Sequence, residues 1–182
     1  MEFIPALAIL SGIGAYVLLS FFSKFHPIIK YVILALITLS LVFVTYELKS
    51  IHPNQNIYFN QLIGGLSGAK SRNIPSWGNS FGNAYLQGIN WLNENAQQDA
   101  KLALAVNYIS SIPRLKLRSD IDLNNAHFSG LKREGEYAME LSYDWPLKYR
   151  YKYSYYDTFL EPVYQVKIDE VSILKIWKND LK

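Results

Sequence analysis

Hydrophobic positions fill two unbroken runs at the start of the chain and then give way to short, alternating segments. Phe3 to Phe22 is a 20-residue run without a charge, and Ile28 to Tyr46 contains a single one, Lys30, near its start. A helix rises about 1.5 Å per residue, so each run can cross a hydrocarbon core of about 30 Å. The pattern therefore predicts two transmembrane helices, over 3–22 and 28–46. The first run holds eleven Leu, Ile, Val and Phe residues, which at roughly −0.3 to −0.6 kcal/mol each favour insertion by about 3–6 kcal/mol. Lys30 lies one turn inside the second run, where its ammonium can extend back to the interface. Ala8 with Gly12 and Ser11 with Ala15 form two overlapping small-xxx-small pairs, which let membrane helices approach closely.

Orientation follows from the charges flanking these runs. The N-terminal flank carries Glu2 and no Lys or Arg, whereas Lys24 and Lys30 bracket the connection between the runs. Positive charge is retained on the cytoplasmic side, which predicts a cytoplasmic loop at 23–27 and both flanks outside. The opening Met-Glu-Phe lacks the basic region of a signal peptide, and the run after it is longer than a signal peptide's apolar core, so it is expected to stay as an anchor.

After Glu47-Leu48-Lys49 the periodicity changes. Asn56 to Asn60 reads as a short strand, followed by Gly64-Gly65 and a Gly/Ser/Lys loop through Ser76. Ser80 is placed to cap a helix in which Phe81, Tyr85, Ile89 and Leu92 recur at helical spacing, ending near Asn95. Lys101 to Val106 has the composition of a buried strand, so strand, helix and strand in that order suggest one βαβ unit. Tyr137 to Tyr143 is a further strand. Val163 to Ile168 and Val171 to Trp177 form a hairpin about Asp169-Glu170. Between these lie five tyrosines in the eight residues Tyr149 to Tyr156, which could form a stacking surface for sugars or lipid headgroups but read better as positions on half-exposed strands or at a membrane interface. The expected fold is a membrane α-helical hairpin (1–48) followed by a small α/β (α+β) extracytoplasmic domain (49–182).

Charge sharpens that boundary. Residues 1–48 contain only Glu2, Lys24, Lys30 and Glu47 as charged side chains, whereas the remaining 134 residues carry 16 Lys and Arg and 13 Asp and Glu. Such a break marks a domain edge, and the second part is long enough for one modest core. The absence of cysteine excludes disulfides, thiolate zinc sites and a Cys nucleophile. No basic run exceeds Lys132-Arg133, so the chain carries no nucleic-acid footprint.

Candidate chemistry is sparse. His26, His52 and His127 include no i,i+4 pair and have no Cys companions, so no metal site is expected. Gly64-Gly65-Leu66-Ser67-Gly68 resembles a nucleophile elbow, but Ala69 stands where the second glycine is needed. No phosphate-binding or dinucleotide glycine pattern occurs. Asp120 and Asp122 flank Ile121 and would share one face of a strand, as a cation site might, although a solvated loop is the better reading.

One ordered set of segments is more specific. His52-Pro53-Asn54-Gln55-Asn56-Ile57-Tyr58-Phe59-Asn60, then Gly64-Gly65, directly follows the second apolar run. Trp77-Gly78-Asn79-Ser80-Phe81 and Trp91-Leu92-Asn93-Glu94-Asn95 come next, and Glu161-Pro162-Val163-Tyr164 and Val171-Ser172-Ile173-Leu174 close the chain. In order and spacing this resembles the C-terminal region of prokaryotic dolichyl-phosphate-mannose-protein mannosyltransferase-like proteins, membrane glycosyltransferases of the GT-C type (glycosyltransferase family 39-like). The match covers most of residues 40–178. It departs at Pro75-Ser76, where relatives often carry Asp-Tyr before Trp-Gly, and at Glu170, where the hairpin often turns at Gly.

The resemblance implies an enzyme of the plasma or inner membrane that transfers a sugar from a polyprenyl-phosphate donor to an acceptor on the outer face. Its essential acidic residue would lie in the first external loop, a region with no counterpart here. The 182 residues are then expected to be the C-terminal portion of such an enzyme, inactive alone, with no catalytic residue of their own. The implied partners are membrane lipid, an N-terminal transmembrane bundle and the lipid-linked sugar donor; no cofactor is visible, and any divalent cation would belong to the catalytic part. His52, Trp77 and Asn79 are the candidate substrate-binding residues, Trp77 by stacking on a sugar ring and His52 by its place close to the membrane surface. The alternative is a stand-alone, non-enzymatic anchored domain that binds a partner or polymer of the cell envelope.

Overall fold

The computed structural model describes residues 3–22, 27–80, 82–104, 112–123, 136–142 and 151–179. The chain divides into two compact units, Met1–Ser50 and Ile51–Lys182. The expected loop residues Ser23 to His26, and with them Lys24, lie outside the described residues, as do Phe81, Val106, His127, Tyr143 and Tyr149.

The first unit contains α1 (Phe3–Phe22) and α2 (Pro27–Ser50). The Ile28–Ser50 stretch is long and apolar enough to cross a membrane, and none of its apolar window is buried within the protein. The apolar helical stretch in α1 is shorter, Ala8–Phe22. Pro27 opens α2 at the position where a missing N–H leaves no bond unmade. The helix runs to Ser50, beyond the apolar pattern that ends at Tyr46, because Glu47, Leu48 and Lys49 are good helix formers. Pro53 then disfavours helical backbone at the residue before it. Thr38 and Thr45 donate their hydroxyls to the Leu34 and Leu41 carbonyls at 2.9 and 2.8 Å. Each hydroxyl is thereby satisfied within its own helix.

The second unit is of the α+β kind. Its strands are β1 (Lys101–Leu104), β2 (Asp122–Leu123), β3 (Glu136–Leu141), β4 (Pro162–Ile168) and β5 (Val171–Lys178), in the spatial order β2-β1-β3-β5-β4. β1 pairs in parallel with β2 and β3, whereas β5 pairs antiparallel with β3 and β4. The hairpin between β4 and β5 turns at Asp169 and Glu170, with φ of 47° and 62°. Positive φ at both central residues is the type I′ geometry whose twist matches the strands.

Among the described residues three α-helices accompany the sheet: α3 (Gly65–Ser71), α4 (Gly82–Asn95) and α5 (Tyr151–Phe159). Tyr85, Ile89 and Leu92 of α4 are fully buried against the sheet. Gly88 lets the helix approach closely, because a Cβ there would lie 2.6 Å from the Met139 sulfur and 3.2 Å from Leu174 Cδ2. On the opposite face Tyr156 packs with Ala138 and Trp177. The core holds one carboxylate in α4's path: Tyr85 donates its hydroxyl to Glu140 Oε1 at 2.6 Å, and the Leu141 amide donates to the same oxygen at 3.0 Å. Glu140 is 1% exposed, so these bonds offset part of the cost of removing it from water.

Four local expectations change. Asn56 to Asn60 is not a strand; single 3-10 turns occur at Gln55–Ile57 and Gln61–Ile63. The Tyr58 and Gly64 amides close these turns on the Gln55 and Gln61 carbonyls at 3.1 and 3.0 Å, so the backbone bonds are made locally rather than in a ladder. The expected βαβ unit therefore does not form there, and the parallel pairs are made by β1 with β2 and β3. The glycine-rich stretch read as a loop contains α3. The tyrosine run is helical from Tyr151, with Tyr155 and Phe159 one turn apart at 5.0 Å between ring centroids. Packing against the sheet overrides the β-preference of tyrosine. Ser80 offers its carbonyl to the Asn83 amide at 3.2 Å, while its buried hydroxyl has no partner among the described residues.

Arg118 closes the far end of α4. Its guanidinium donates to the carbonyls of Asn93, Ala96 and Gln97 at 2.8, 3.1 and 2.8 Å. Asn93 belongs to the last turn of α4, whose carbonyls lack partners within the helix, and Ala96 and Gln97 directly follow it. Asp120 grips the same guanidinium at 2.5 and 2.9 Å.

Candidate pocket at α3 and Trp77

The segment from Gly64 to Ser80 is shaped by steric demands that only its particular residues meet. Gly64 and Gly65 adopt φ of 84° and 62°, open to glycine without strain. The Leu66 amide beyond them donates to Asp169 Oδ2 at 2.9 Å. A Cβ on Gly65 would lie 2.6 Å from that oxygen, and one on Gly68 would collide with the Ile63 carbonyl at 1.7 Å. The glycines are thus explained by backbone approach, and Ser67 is not held on a strained strand-to-helix elbow. Arg72 donates through Nη1 to the Ile63 carbonyl and, at 3.2 Å, to that of Gly68.

Leu66 and Ala69 of α3 turn inward, which leaves Ser67, Lys70 and Ser71 exposed on its outer side. Asn73 and Ser76 then adopt left-handed backbone, with φ of 52° and 59°, and bring the chain back to Trp77. Ser67, Lys70, Ser71, Asn73 and Trp77 line an open pocket of about 470 Å³. The Lys70 ammonium lies 5.6 Å from the centroid of the Trp77 ring, within reach of a cation–π attraction. Trp77 is 3% exposed, and its indole N–H is buried without a partner among the described residues.

Of the expected site residues, only Trp77 lines this pocket. Asn79 is half-buried; its amide donates to the Ser76 carbonyl at 3.0 Å, and its carbonyl accepts from Asn56 Nδ2 at 3.4 Å. His52 is exposed, pairs through Nδ1 with Gln55 Nε2 at 2.7 Å, and precedes a cis peptide to Pro53. The three are parts of one tied segment. Asn83 Nδ2 of α4 donates to the Pro53 carbonyl at 2.7 Å, and Gln87 Nε2 donates to Asn54 Oδ1 at 3.2 Å. The sequence offers Ser67 only as the serine of an incomplete nucleophile elbow, and does not single out Lys70, Ser71 or Asn73. Their only signal was the Ser67, Lys70, Ser71 spacing, which puts side chains on one face only if the stretch is helical.

Asp120 and Asp122 do not form a cation site. Asp120 is taken by Arg118 and by the Asp99 amide at 3.0 Å, while Asp122 sits on β2. The bond from Arg118 holds the Asp120 carboxyl well below its usual range, at about 2. Among the described residues no group of three His, Cys, Asp or Glu side chains is placed to hold a metal ion. On the other side of α4, Trp91 stacks on Tyr164 at 5.2 Å and meets Tyr137 edge-on at 6.4 Å. Burial, with the nearby Glu94 charge, pushes the Tyr164 hydroxyl up.

No family model, curated protein or solved structure matches this chain.

Proposed function

We propose that the chain is the C-terminal portion of an integral-membrane glycosyltransferase that moves a sugar from a polyprenyl-phosphate donor to an extracytoplasmic acceptor. In this reading both α1 and α2 span the membrane, and the positive charges of Lys24 and Lys30 keep their connection in the cytoplasm. Residues 51–182 form the domain that caps the site and helps position the acceptor. The reading is supported above all by how the segments that carry the family resemblance sit together. Asn56 Nδ2 of the first segment donates to the Asn79 carbonyl of the next at 3.4 Å, and Trp91 of the third stacks on Tyr164 of the closing pair at 5.2 Å between ring centroids. Segments that matter jointly to one activity are expected to be held against one another in this way. The acid that activates the acceptor belongs to the part of the enzyme upstream of α1.

A stand-alone anchored binding domain is the second reading. It is favoured by the hydrophobic core that the described residues of 51–182 close for themselves on both faces of the sheet. Immunoblotting of source-cell membranes with an antibody against residues 97–182 separates the two. A product far larger than 20.9 kDa, at about 20 residues per additional span, is the glycosyltransferase outcome. A single band at the mass of this chain would overturn it and leave the binding domain.

A further inference from the structure

We propose that the pocket between α3 and Trp77 binds the phosphate of a phosphorylated ligand, with Lys70 as its cationic anchor. The inference stands on the pocket alone and holds under either reading of the whole protein.

The lining is rich in donors and contains no carboxylate: Ser67, Lys70, Ser71, Asn73 and Trp77. Lys70 has no ion-pair partner among the described residues, and its ammonium is engaged only with the Trp77 ring at 5.6 Å. An ammonium offers three donors and no acceptor. Asp169, whose carboxylate faces α3, is committed at that helix's other end to the Leu66 amide. Trp77, the aromatic member of the lining, is 3% exposed and lies beneath the ammonium, so its indole signal reports on what Lys70 binds. Ser71 is partly used, since it donates to the Gly68 carbonyl at 3.0 Å; Ser67 and Asn73 are exposed beside it.

This arrangement selects for charge as well as for hydroxyls. The ammonium occupies the aromatic face on which a neutral pyranose would stack, so a neutral sugar gains little unless Lys70 leaves. An oxyanion instead meets the ammonium directly and forms charge-assisted bonds, about twice as strong as neutral ones. A volume of about 470 Å³ exceeds what a phosphate group alone fills, leaving room for an attached sugar or lipid headgroup. Both sources present the same chemistry to the pocket.

The test uses the full chain in lipid nanodiscs with ¹⁵N-labelled tryptophan, and follows the indole resonances. Trp77→Phe identifies the Trp77 signal by its disappearance. Glucose 1-phosphate titrated into phosphatidylcholine discs reports the soluble source, with glucose as the uncharged control. Discs containing phosphatidylglycerol report the lipid source. The proposal expects the Trp77 signal to move saturably with glucose 1-phosphate, with phosphatidylglycerol, or with both, and to ignore glucose. Lys70→Met should weaken that binding by at least about tenfold and Lys70→Arg should largely restore it, with the other three indole signals unmoved in both variants. A Trp77 signal that ignores both phosphates, moves equally with glucose, or responds unchanged in Lys70→Met overturns it. The product-size experiment above is independent of these signals, so either proposal can fail alone.

Discussion

Gly88 offers the sharpest test of how α4 is seated, because two opposing effects meet at one atom. Replacing it with alanine removes the backbone freedom of glycine, a gain of about 1 kcal/mol within a helix. The new methyl, however, would sit 2.6 Å from the Met139 sulfur and 3.2 Å from Leu174 Cδ2. Comfortable non-bonded separation is about 3.5–4.0 Å, so Met139 must give way by about 1 Å. Met139, Leu174 and Ile176 are all 0% exposed, and a close-packed interior has little room to absorb the shift. Overpacking of this kind costs about 1–3 kcal/mol. The net expectation for Gly88→Ala is a loss of about 1 kcal/mol, or about 3–5 °C in Tm for a unit of this size. Thermal unfolding in detergent, followed by circular dichroism and tryptophan fluorescence, reads it directly. Met139→Ala removes the obstructing sulfur, and in that background Gly88→Ala should lose most of its penalty, with the 3.2 Å approach to Leu174 Cδ2 remaining. If the alanine stabilises both backgrounds equally, Met139 does not limit the approach of α4 and the packing argued here is wrong.

Two further outcomes follow from the charge clamp and the membrane helix. The Asp120 carboxyl is lowered from 3.8 to about 2 by the Arg118 bond, so its contribution is fully present above about pH 4 and is lost as pH falls through 2. The Tm difference between the native chain and Asp120→Asn should therefore be present at pH 5 and close as pH approaches 2; a constant difference refutes the linkage. Leu39, 66% exposed at mid-α2, should be intolerant of charge: Leu39→Arg is expected to oppose insertion by about 3 kcal/mol. Alkaline extraction of membranes should release more of this variant than of Leu39→Ala, and equal retention would argue against a span at α2.

Much of the local structure was legible because its signal is local. The apolar run of α2, the recurrence of Tyr85, Ile89 and Leu92 along α4, and the β4–β5 hairpin all follow from side-chain period and burial within one segment. The boundaries were less accurate at α2, which continues through Glu47 and Lys49 until the chain meets Pro53. Trp77 was singled out as a residue able to stack. Its neighbour Lys70 was not, because nothing in a Gly/Ser-rich stretch announces that residues 65–71 are helical.

What the sequence by itself determined is therefore the division of the chain into an apolar part and a mixed part, and the elements whose periodicity is carried by their own residues. Tertiary structure decided the rest. The tyrosine run became α5 because Tyr156 found a buried place beside Ala138 and Trp177. Stretch 65–71 became α3 because Asp169, more than a hundred residues away, accepts the amide that would otherwise be left unpaired at its start. Strand order, with β1 between β2 and β3 and β5 between β3 and β4, depends on pairings between distant segments. The pocket is of the same kind: Lys70 and Trp77 come together only after two left-handed residues, Asn73 and Ser76, turn the chain back on itself. Period and propensity act over a few residues, whereas burial and hydrogen-bond satisfaction are settled among segments that meet only in the folded chain.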